Sequence, residues 1–293
     1  MVTDYNQIYN HYLSVFNKHL ESVYSNLSKS APKTITDAMK YAVEGGGKRV
    51  RPVLCLATAD ILSVPFEKVL NFAVAIETIH SYSLVHDDLP AMDNDDYRRG
   101  KLSTHKKFGE ANGILAGDAL LTFAFELCLN KENFDAYDAK ALSILAKFAG
   151  YSGMVAGQVL DLENERNDLA DQSVLYDIYE NKTAKLIMVP LLIASIFADG
   201  RNFESLTEYG YNLGVLFQIV DDIMDVECQF DSIGKTPNKD EKVNKLTSVK
   251  LWGVDGAKKR AEEHYQKCKN ALKNIEGAEF LSSFADAMYV RRK

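Results

Sequence analysis

Apolar residues recur at the three- and four-residue spacing of an α-helix along nearly the whole sequence, and this periodicity is the strongest restriction on the fold. Runs that alternate Val, Ile and Thr with polar residues are absent, and most of the six prolines lie between the periodic segments. We therefore predict an all-α fold, organised as a single domain over residues 1–293 and built as a large helical bundle. The predicted helices span residues 3–28, 34–45, 51–62, 66–89, 112–131, 137–149, 151–164, 173–199, 203–230, 240–251, 254–274 and 278–291.

The composition is typical of a soluble globular protein, with 46% hydrophobic and 26% charged residues. The 34 Lys and Arg residues against 41 Asp and Glu residues give a net charge of −7. This excess of acid argues against nucleic-acid binding, because that binding depends on cations that neutralise phosphates. It leaves small phosphorylated ligands open, since a bound metal ion reverses the local sign of the charge.

The four cysteines are widely spaced and form no C-x-x-C pair, which argues against a structural zinc site or a disulfide framework. We expect buried, reduced thiols in a cytoplasmic protein. The first twenty residues lack the features of a signal peptide. The longest uncharged apolar run, Leu186–Ala198, contains Pro190 and is too short to span a membrane, which takes about 20 apolar residues. We therefore predict a core helix there and no membrane span.

One acidic cluster lies within the predicted helix 203–230, in the sequence GVLFQIVDDIMDVE. Four polar residues fall at positions i, i+3, i+4 and i+7, so they share one stripe of the helix. These residues are Gln218, Asp221, Asp222 and Asp225. The other faces are apolar, and a helix of this kind is buried. Three buried carboxylates require a positive partner, although a solvated acidic face is the simpler alternative.

A second acidic cluster lies where the apolar helix 66–89 ends before Pro90. A helix C-terminus disfavours carboxylates through its dipole, so an acidic cluster at this point indicates a functional site. An acidic turn that pairs with its own arginines is the alternative. The acidic residues are Asp87, Asp88, Asp93, Asp95 and Asp96, and the cations that follow are Arg98, Arg99 and Lys101.

Carboxylates without His or Cys ligands suit a hard cation, and magnesium is the natural choice because it is completed by water and phosphate oxygens. A basic segment, Gly45–Pro52, offers three glycines that allow close approach of an anion, followed by Lys48, Arg49 and Arg51. It does not match a Walker loop. Further lysines could close over a diphosphate from the segment 228–246, which we predict to be the most mobile loop. They are Lys235, Lys239, Lys242 and Lys245.

These features together predict a ligand with a polyanionic end and an apolar end, such as an organic diphosphate with a hydrocarbon tail. At this point the chain resembles the trans-prenyltransferases, the isoprenyl diphosphate synthases (polyprenyl synthetases), and within them the bacterial farnesyl diphosphate synthases. The resemblance runs through nearly the whole chain in family order. Its segments are GGKRVRP (46–52), IHSYSLVHDDLPAMDNDDYRRG (79–100), LAGDALL (115–121), GMVAGQVLDL (153–162), KTAKL (182–186), FQIVDDIMD (217–225), GK (234–235) and KDEKVNK (239–245).

The resemblance implies antiparallel helices around a deep cavity, a homodimer, and condensation of an allylic diphosphate with isopentenyl diphosphate. It also implies three magnesium ions held by two aspartate motifs. Asp87 and Asp93 match ligands of the first motif and Asp221 matches the main ligand of the second. The remaining motif residues, as ligands or as groups that hold ligands, are Asp88, Asp222 and Asp225.

The resemblance assigns the substrate contacts as well. The allylic diphosphate is assigned to Arg98, Lys182 and Lys235, with Lys245 as a further cation. The isopentenyl diphosphate is assigned to Gly47, Lys48, Arg51, His80 and Arg99. Thr183 and Gln218 are expected to face the developing carbocation. For His80, a core histidine satisfied by one hydrogen bond is the alternative.

The length of the product is expected to depend on Tyr82 and Ser83, five and four positions before Asp87. Members of the family with a bulky residue at the fifth position wall off the growing tail, so Tyr82 predicts a fifteen-carbon product; simple core packing of Tyr82 is compatible with this. A geranyl or geranylgeranyl diphosphate synthase is the alternative. A class I terpene cyclase, a non-catalytic subunit and a structural helical protein are more remote, because both aspartate motifs and the basic residues are present.

Three departures from the usual family pattern leave rate and substrate preference open. Tyr179 stands where bacterial relatives commonly have His, and Lys185 adds a charge near the Lys-Thr pair. Leu246–Ser248 replaces the more usual Ser-Thr-Tyr.

Overall fold

The computed structural model describes residues 5–27, 30–165, 171–227 and 245–290 of the chain. These residues form helices connected by short loops, with a single two-stranded hairpin. The helices are α1 (Tyr5–Ser25), α2 (Lys33–Glu44), α3 (Val50–Ile61), α4 (Phe66–Asp87), α5 (Thr104–Phe108), α6 (Glu110–Leu129), α7 (Ala136–Ala149), α8 (Met154–Asn164), α9 (Gln172–Tyr179), α10 (Lys185–Phe197), α11 (Phe203–Glu227), α12 (Ser248–Ala271) and α13 (Glu279–Val290). A π-helical turn, Glu180–Ala184, joins α9 to α10.

The all-α prediction is confirmed, and most predicted helices differ from the observed ones by at most three residues at each end. The structure adds α5 and the antiparallel strands β1 (Tyr97–Arg98) and β2 (Lys101–Leu102). The hairpin is absent from the predicted elements, because its turn, Arg99–Gly100, is not a common hairpin dipeptide. Both turn residues have positive φ angles, 53° and 74°.

Two other boundaries differ for physical reasons. The predicted helix 173–199 is interrupted by the π-helical turn, which apolar periodicity does not reveal. The predicted helices 240–251 and 254–274 form one span, α12, with a kink at Gly253, where φ is 67°. Residues 240–244 lie outside the described part of the chain, as does most of the predicted mobile loop 228–246.

The chain divides into two compact units. The first unit contains residues 1–56 and 65–142, and in it α4 packs along α6, with Phe72, Ile76 and Ile79 fully or almost fully buried. The second unit contains residues 57–64 and 143–293, and in it α11 packs against α10 and α12. All of Leu186–Ile196 is buried in α10, which confirms a core helix in that apolar run. The organisation of the whole chain as one domain stays a prediction.

Within the described residues, one helix is long and apolar enough to cross a membrane by length and composition alone. This helix is α6, with a mean hydropathy of 1.4 and only a third of the apolar window buried. It carries a charged residue, Asp118, at its middle, and a single such helix is weak support for a membrane span. Cys55, Cys128 and Cys268 are buried free thiols, as the sequence predicts, whereas Cys228 lies outside the described residues. Burial raises the pKa of Cys55 to about 12.

Candidate active site

The basic segment of the first unit is fixed by a buried ion pair. Arg49, which lies between the predicted ligands, has a φ of 50° and places Nη1 2.7 Å from Oε1 of Glu77 on α4. Both side chains are at most 5% exposed. Arg49 also donates to the carbonyl oxygen of Val43 at the end of α2, and the hydroxyl of Tyr9 donates to the carbonyl oxygen of Lys48. The segment that carries Lys48 and precedes Arg51 is therefore held by three contacts.

Two more predicted ligands belong to this region, Arg99 against the basic segment and Arg51 within it. Arg99, in the hairpin turn, donates through Nη1 to the carbonyl oxygen of Gly46. Its guanidinium lies 2.6 to 2.9 Å from the position that a Cβ atom on Gly47 would occupy, so only glycine allows this contact. The Nε atom of Arg51 is buried and makes no hydrogen bond within the described residues. A buried guanidinium with an unsatisfied donor favours an anionic ligand at this place.

His80 lies one turn after Glu77 on α4 and is partly buried. Burial lowers the pKa of its imidazole well below the ordinary value, and the guanidinium groups of Arg51, Arg99, Arg49 and Arg98 lower it further. The binding role of His80 stays a prediction.

The first aspartate motif folds back on itself after α4. The backbone N–H of Asp93 donates to the carbonyl oxygen of Asp87 over 2.9 Å, and the N–H of Asp95 donates to that of Asp88 over 3.2 Å. This turn brings the predicted ligands Asp87 and Asp93 together, although they are six residues apart in sequence. Both side chains remain half-buried.

Asp88 has a different environment from its neighbours, because it is 2% exposed and paired with Arg98. Nε of Arg98 lies 2.8 Å from Oδ1 of Asp88, and Nη2 donates to the same oxygen. Burial raises the pKa of Asp88, and the guanidinium opposes that rise. This pairing favours the interpretation of Asp88 as a group that holds Arg98 rather than as a ligand.

Tyr82 is 6% exposed on α4, and its ring meets that of His86 edge to face at a centroid distance of 5.9 Å. Ser83 donates to the carbonyl oxygen of His80 over 2.9 Å. The five residues from Tyr82 to Asp87 correspond to about 7.5 Å along the helix. A bulky, buried side chain therefore lies at about this distance from the first motif, toward the start of α4.

The second aspartate motif lies on the last two turns of α11, in the second unit. Asp221 and Asp225 are half-buried, whereas Asp222 is 8% exposed. Oδ2 of Asp222 accepts hydrogen bonds from the Tyr179 hydroxyl, from the Ser248 N–H over 2.6 Å and from the Ser248 hydroxyl over 2.8 Å. Burial raises the pKa of Tyr179 well above its ordinary value, and the Asp222 carboxylate adds to this, so the phenol stays a donor at neutral pH.

The π-helical turn carries Lys182 and Thr183. Interruptions of this kind occur frequently at functional sites. Helix α8 approaches the turn closely, since a Cβ atom on Gly157 would lie 2.1 Å from the backbone nitrogen of Lys182. The Thr183 hydroxyl donates to Oε1 of Gln218 on α11 over 2.8 Å. The structure therefore brings together the two residues that are predicted to face the carbocation.

A carboxylate that the sequence analysis did not select holds two of the predicted cations. Asp161, at the buried face of α8, lies 2.6 Å from Nζ of Lys182 and 3.1 Å from Nζ of Lys245. Burial acts to raise the pKa of Asp161, but the two ammonium groups outweigh it and hold the pKa below its ordinary value. Lys185, one of the departures, donates over 2.8 Å to the carbonyl oxygen of Ser152.

The side chains of the two aspartate motifs are of the kind that the predicted magnesium requires. The half-buried groups of both motifs are carboxylates, and a hard cation prefers such oxygen ligands. Among the described residues no group of three or more His, Cys, Asp or Glu side chains is arranged to hold a metal ion. Magnesium usually takes only one or two carboxylates from a protein and completes its coordination with phosphate oxygens and water.

The structure describes all predicted site residues except Lys235, which lies outside the described part of the chain together with Lys239 and Lys242. It also adds residues that the sequence analysis did not assign to the site: Arg49, Glu77, Asp161, Tyr179 and Ser248. Of these, Arg49 carried a signal as a cation of the basic segment, and Tyr179 and Ser248 carried one as departures from the family pattern. Glu77 and Asp161 could have been recognised as lone carboxylates on otherwise apolar helix faces.

The chain is similar to known proteins in both sequence and structure. Residues 32–279 match the family model described as polyprenyl synthetase. A farnesyl diphosphate synthase of Micrococcus luteus is 42% identical over 268 residues, which is 90% of each chain. A chloroplastic geranylgeranyl pyrophosphate synthase of Capsicum annuum is 41% identical over 263 residues, 88% of this chain and 71% of that one. The crystal structure of a geranyltransferase from Helicobacter pylori, complexed with magnesium and isoprenyl diphosphate, has a TM-score of 0.82 and 32% identity and covers 98% of this chain and 97% of the other.

Proposed function

The chain belongs to the polyprenyl synthetase family, and from that membership we propose that it is a prenyltransferase that condenses dimethylallyl or geranyl diphosphate head-to-tail with isopentenyl diphosphate. The product proposed is farnesyl diphosphate, with inorganic diphosphate released. The observation that carries this proposal is the basic grouping of the first unit. Arg99 donates to the carbonyl oxygen of Gly46, and the buried Nε of Arg51 makes no hydrogen bond within the described residues. Such a grouping favours a polyanion.

The reaction begins with ionisation of the allylic C–O bond, and the charge on the leaving diphosphate must be stabilised. Lys182 and Arg98 are proposed to bind that diphosphate, with Lys245 as a further cation. Magnesium ions are proposed to be held by Asp87 and Asp93 of the first motif and by Asp221 and Asp225 of the second, and when bound they would supply positive charge to the departing group. The number of ions, three in the prediction, belongs to the same proposal.

The isopentenyl diphosphate is proposed to bind the basic segment through Lys48, Arg51 and Arg99. The carbocation then alkylates the alkene, and a proton is lost from the adduct. The hydrogen bond between Thr183 and Gln218 fixes two polar side chains that can stabilise the cation by their dipoles. No protein base is assigned, and the released diphosphate is a sufficient acceptor for that proton.

The fifteen-carbon product is supported by the buried Tyr82 below the first motif. The relative from Micrococcus luteus is named a farnesyl diphosphate synthase, and the one from Capsicum annuum a geranylgeranyl pyrophosphate synthase. A twenty-carbon product is therefore the second candidate.

The experiment that tests the proposal incubates the purified protein with magnesium, dimethylallyl or geranyl diphosphate and labelled isopentenyl diphosphate, followed by chromatography of the dephosphorylated products. We expect labelled farnesol. Mainly twenty-carbon alcohol would overturn the assigned chain length, and the absence of product beside an active control enzyme would overturn the enzyme assignment. Cyclic hydrocarbon from farnesyl diphosphate alone would indicate a cyclase instead.

A homodimer and a cytoplasmic location are also proposed. Support for the dimer comes from exposed apolar side chains on α6, since Ile114, Leu115 and Leu129 are 47 to 55% exposed. Light scattering on the protein as it elutes from a size-exclusion column measures its mass in solution. We expect twice the chain mass of 32.8 kDa. A monomer at micromolar concentration would overturn the dimer proposal. The proposal of a cytoplasmic location is supported by the cysteine pattern alone.

A further inference from the structure

A buried hydrogen-bonded cluster, Tyr179–Asp222–Ser248, joins three elements of the second unit. Tyr179 ends α9, Asp222 lies near the end of α11, and Ser248 begins α12. None of the three is more than 8% exposed. Three donors converge on one carboxylate oxygen, Oδ2 of Asp222, and the Ser248 N–H also lies 3.0 Å from the Tyr179 hydroxyl. Hydrogen bonds to an ionised group are the strong ones, so this cluster is a rigid junction.

The cluster lies within four residues in sequence of each group that the proposed function uses in this unit. Tyr179 is three residues before Lys182, and Ser248 is three residues after Lys245. Asp222 is next to Asp221 and three residues before Asp225. A second buried carboxylate, Asp161, links the two lysines, because it binds the ammonium groups of both.

We propose that Tyr179 and Ser248 are positioning residues, which use the carboxylate of Asp222 to fix the end of α11 relative to the π-helical turn and the start of α12. In this arrangement Asp222 is committed to protein donors, and Asp221 and Asp225 are the carboxylates of the motif that serve the metal. The cluster thereby preorganises the cations and carboxylates that bind magnesium diphosphate. This inference rests on the proposed function for its ligand, and its contacts are those of the described residues.

The geometry distinguishes this role from ordinary core packing. A core tyrosine needs one acceptor for its hydroxyl. Here the phenol and both donors of Ser248 all donate to a single residue of the motif, Asp222. The same helix offers a contrast in Tyr176, whose hydroxyl lies 3.3 Å from Nε2 of His264. Tyr176 contacts no carboxylate of the motif through that hydroxyl. It is therefore a matched control on the same helix.

The test measures binding of inorganic diphosphate in the presence of magnesium by titration calorimetry, which is independent of turnover. We expect Tyr179→Phe to weaken this binding about tenfold, the value of one hydrogen bond to a charged group. Ser248→Ala, which keeps the backbone N–H, should weaken it less. Tyr179→His should stay within about threefold of the wild type, because an imidazole N–H can replace the phenol donor. Tyr176→Phe should bind as the wild type does.

Steady-state kinetics supply a second readout that a purely structural role would not separate. In Tyr179→Phe we expect the KM for the allylic diphosphate to rise about tenfold while the KM for isopentenyl diphosphate stays within about twofold. Unchanged diphosphate binding in Tyr179→Phe, whether or not the Tm falls, would overturn the inference. If the wild type binds magnesium diphosphate with this pattern among variants but forms no product, only the proposed function fails.

Discussion

The contact between Gly47 and Arg99 gives a prediction with a built-in control. A Cβ atom on Gly47 would lie 2.6 Å from Cζ of Arg99, whereas a Cβ atom on Gly46 would meet nothing within 4 Å. Both glycines have positive φ angles, 113° and 84°. Replacement by alanine therefore strains the backbone in both variants, but only Gly47→Ala collides with the guanidinium. The comparison isolates the displacement of Arg99.

The expected magnitudes follow from these two effects. An alanine at positive φ costs about 1–3 kcal/mol, so both variants should lose a similar amount of unfolding free energy. The clash at Gly47 adds little to this loss, because the end of a flexible arginine can move away. Movement breaks the hydrogen bond to Gly46 and withdraws a charged donor from the proposed isopentenyl diphosphate site. A hydrogen bond to a charged group is worth about 1.5–3 kcal/mol, or a roughly 10- to 100-fold higher KM for isopentenyl diphosphate.

The assay is steady-state kinetics with labelled isopentenyl diphosphate at saturating geranyl diphosphate, alongside thermal unfolding. We expect the KM for isopentenyl diphosphate to rise in Gly47→Ala and to stay near the wild-type value in Gly46→Ala, with similar decreases in Tm. In an Arg99→Ala background, Gly47→Ala should have no further effect on KM, which a double-mutant cycle measures. Equal KM values in the two glycine variants would refute the reasoning.

Three further predictions concern other parts of the structure. Asp87→Asn or Asp221→Asn should each lower kcat/KM at least about 100-fold without loss of helical circular dichroism, and turnover near the wild-type value would remove that residue from the site. Tyr82→Ala should shift the chromatographed product beyond fifteen carbons, and an unchanged product would assign the wall elsewhere. Glu77→Ala should lower the unfolding free energy by about 3–5 kcal/mol in urea denaturation, because it leaves a buried arginine without its carboxylate. The exposed pair of Asp37 is the control, and Asp37→Ala should change stability by no more than about 0.5 kcal/mol.

Periodicity was sufficient to predict the helices that carry the site. Helix α4 begins at Phe66 as predicted, and it ends at Asp87 because the chain must turn before Pro90. The stripe on α11 was predicted from spacing alone, since residues at i, i+3, i+4 and i+7 share a face. Spacing also predicted that this helix is largely buried, and Ile219, Val220 and Ile223 confirm it.

The partners of the carboxylates could not be predicted in the same way. Asp222 accepts hydrogen bonds from Ser248 and Tyr179, which lie 26 and 43 residues away in sequence. Asp161 likewise becomes a counterion only when the π-helical turn brings Lys182 against α8. Helical spacing describes neighbours within one element, and these contacts depend on tertiary packing. The π-helical turn itself has no periodic signature.

Carboxylates of the chain already bind two of the cations that are assigned to the allylic diphosphate. Arg98 commits Nε and Nη2 to Asp88, and Lys182 donates to Asp161. A guanidinium has five N–H donors and an ammonium has three, so neither pair uses all the donors of its cation. A diphosphate can therefore be bound without separation of these buried pairs, which would be costly. The carboxylates fix the direction of each cation in advance, and binding then requires little rearrangement. Part of the acidic surplus thus orients positive charge, and a net charge of −7 is compatible with a polyanionic substrate.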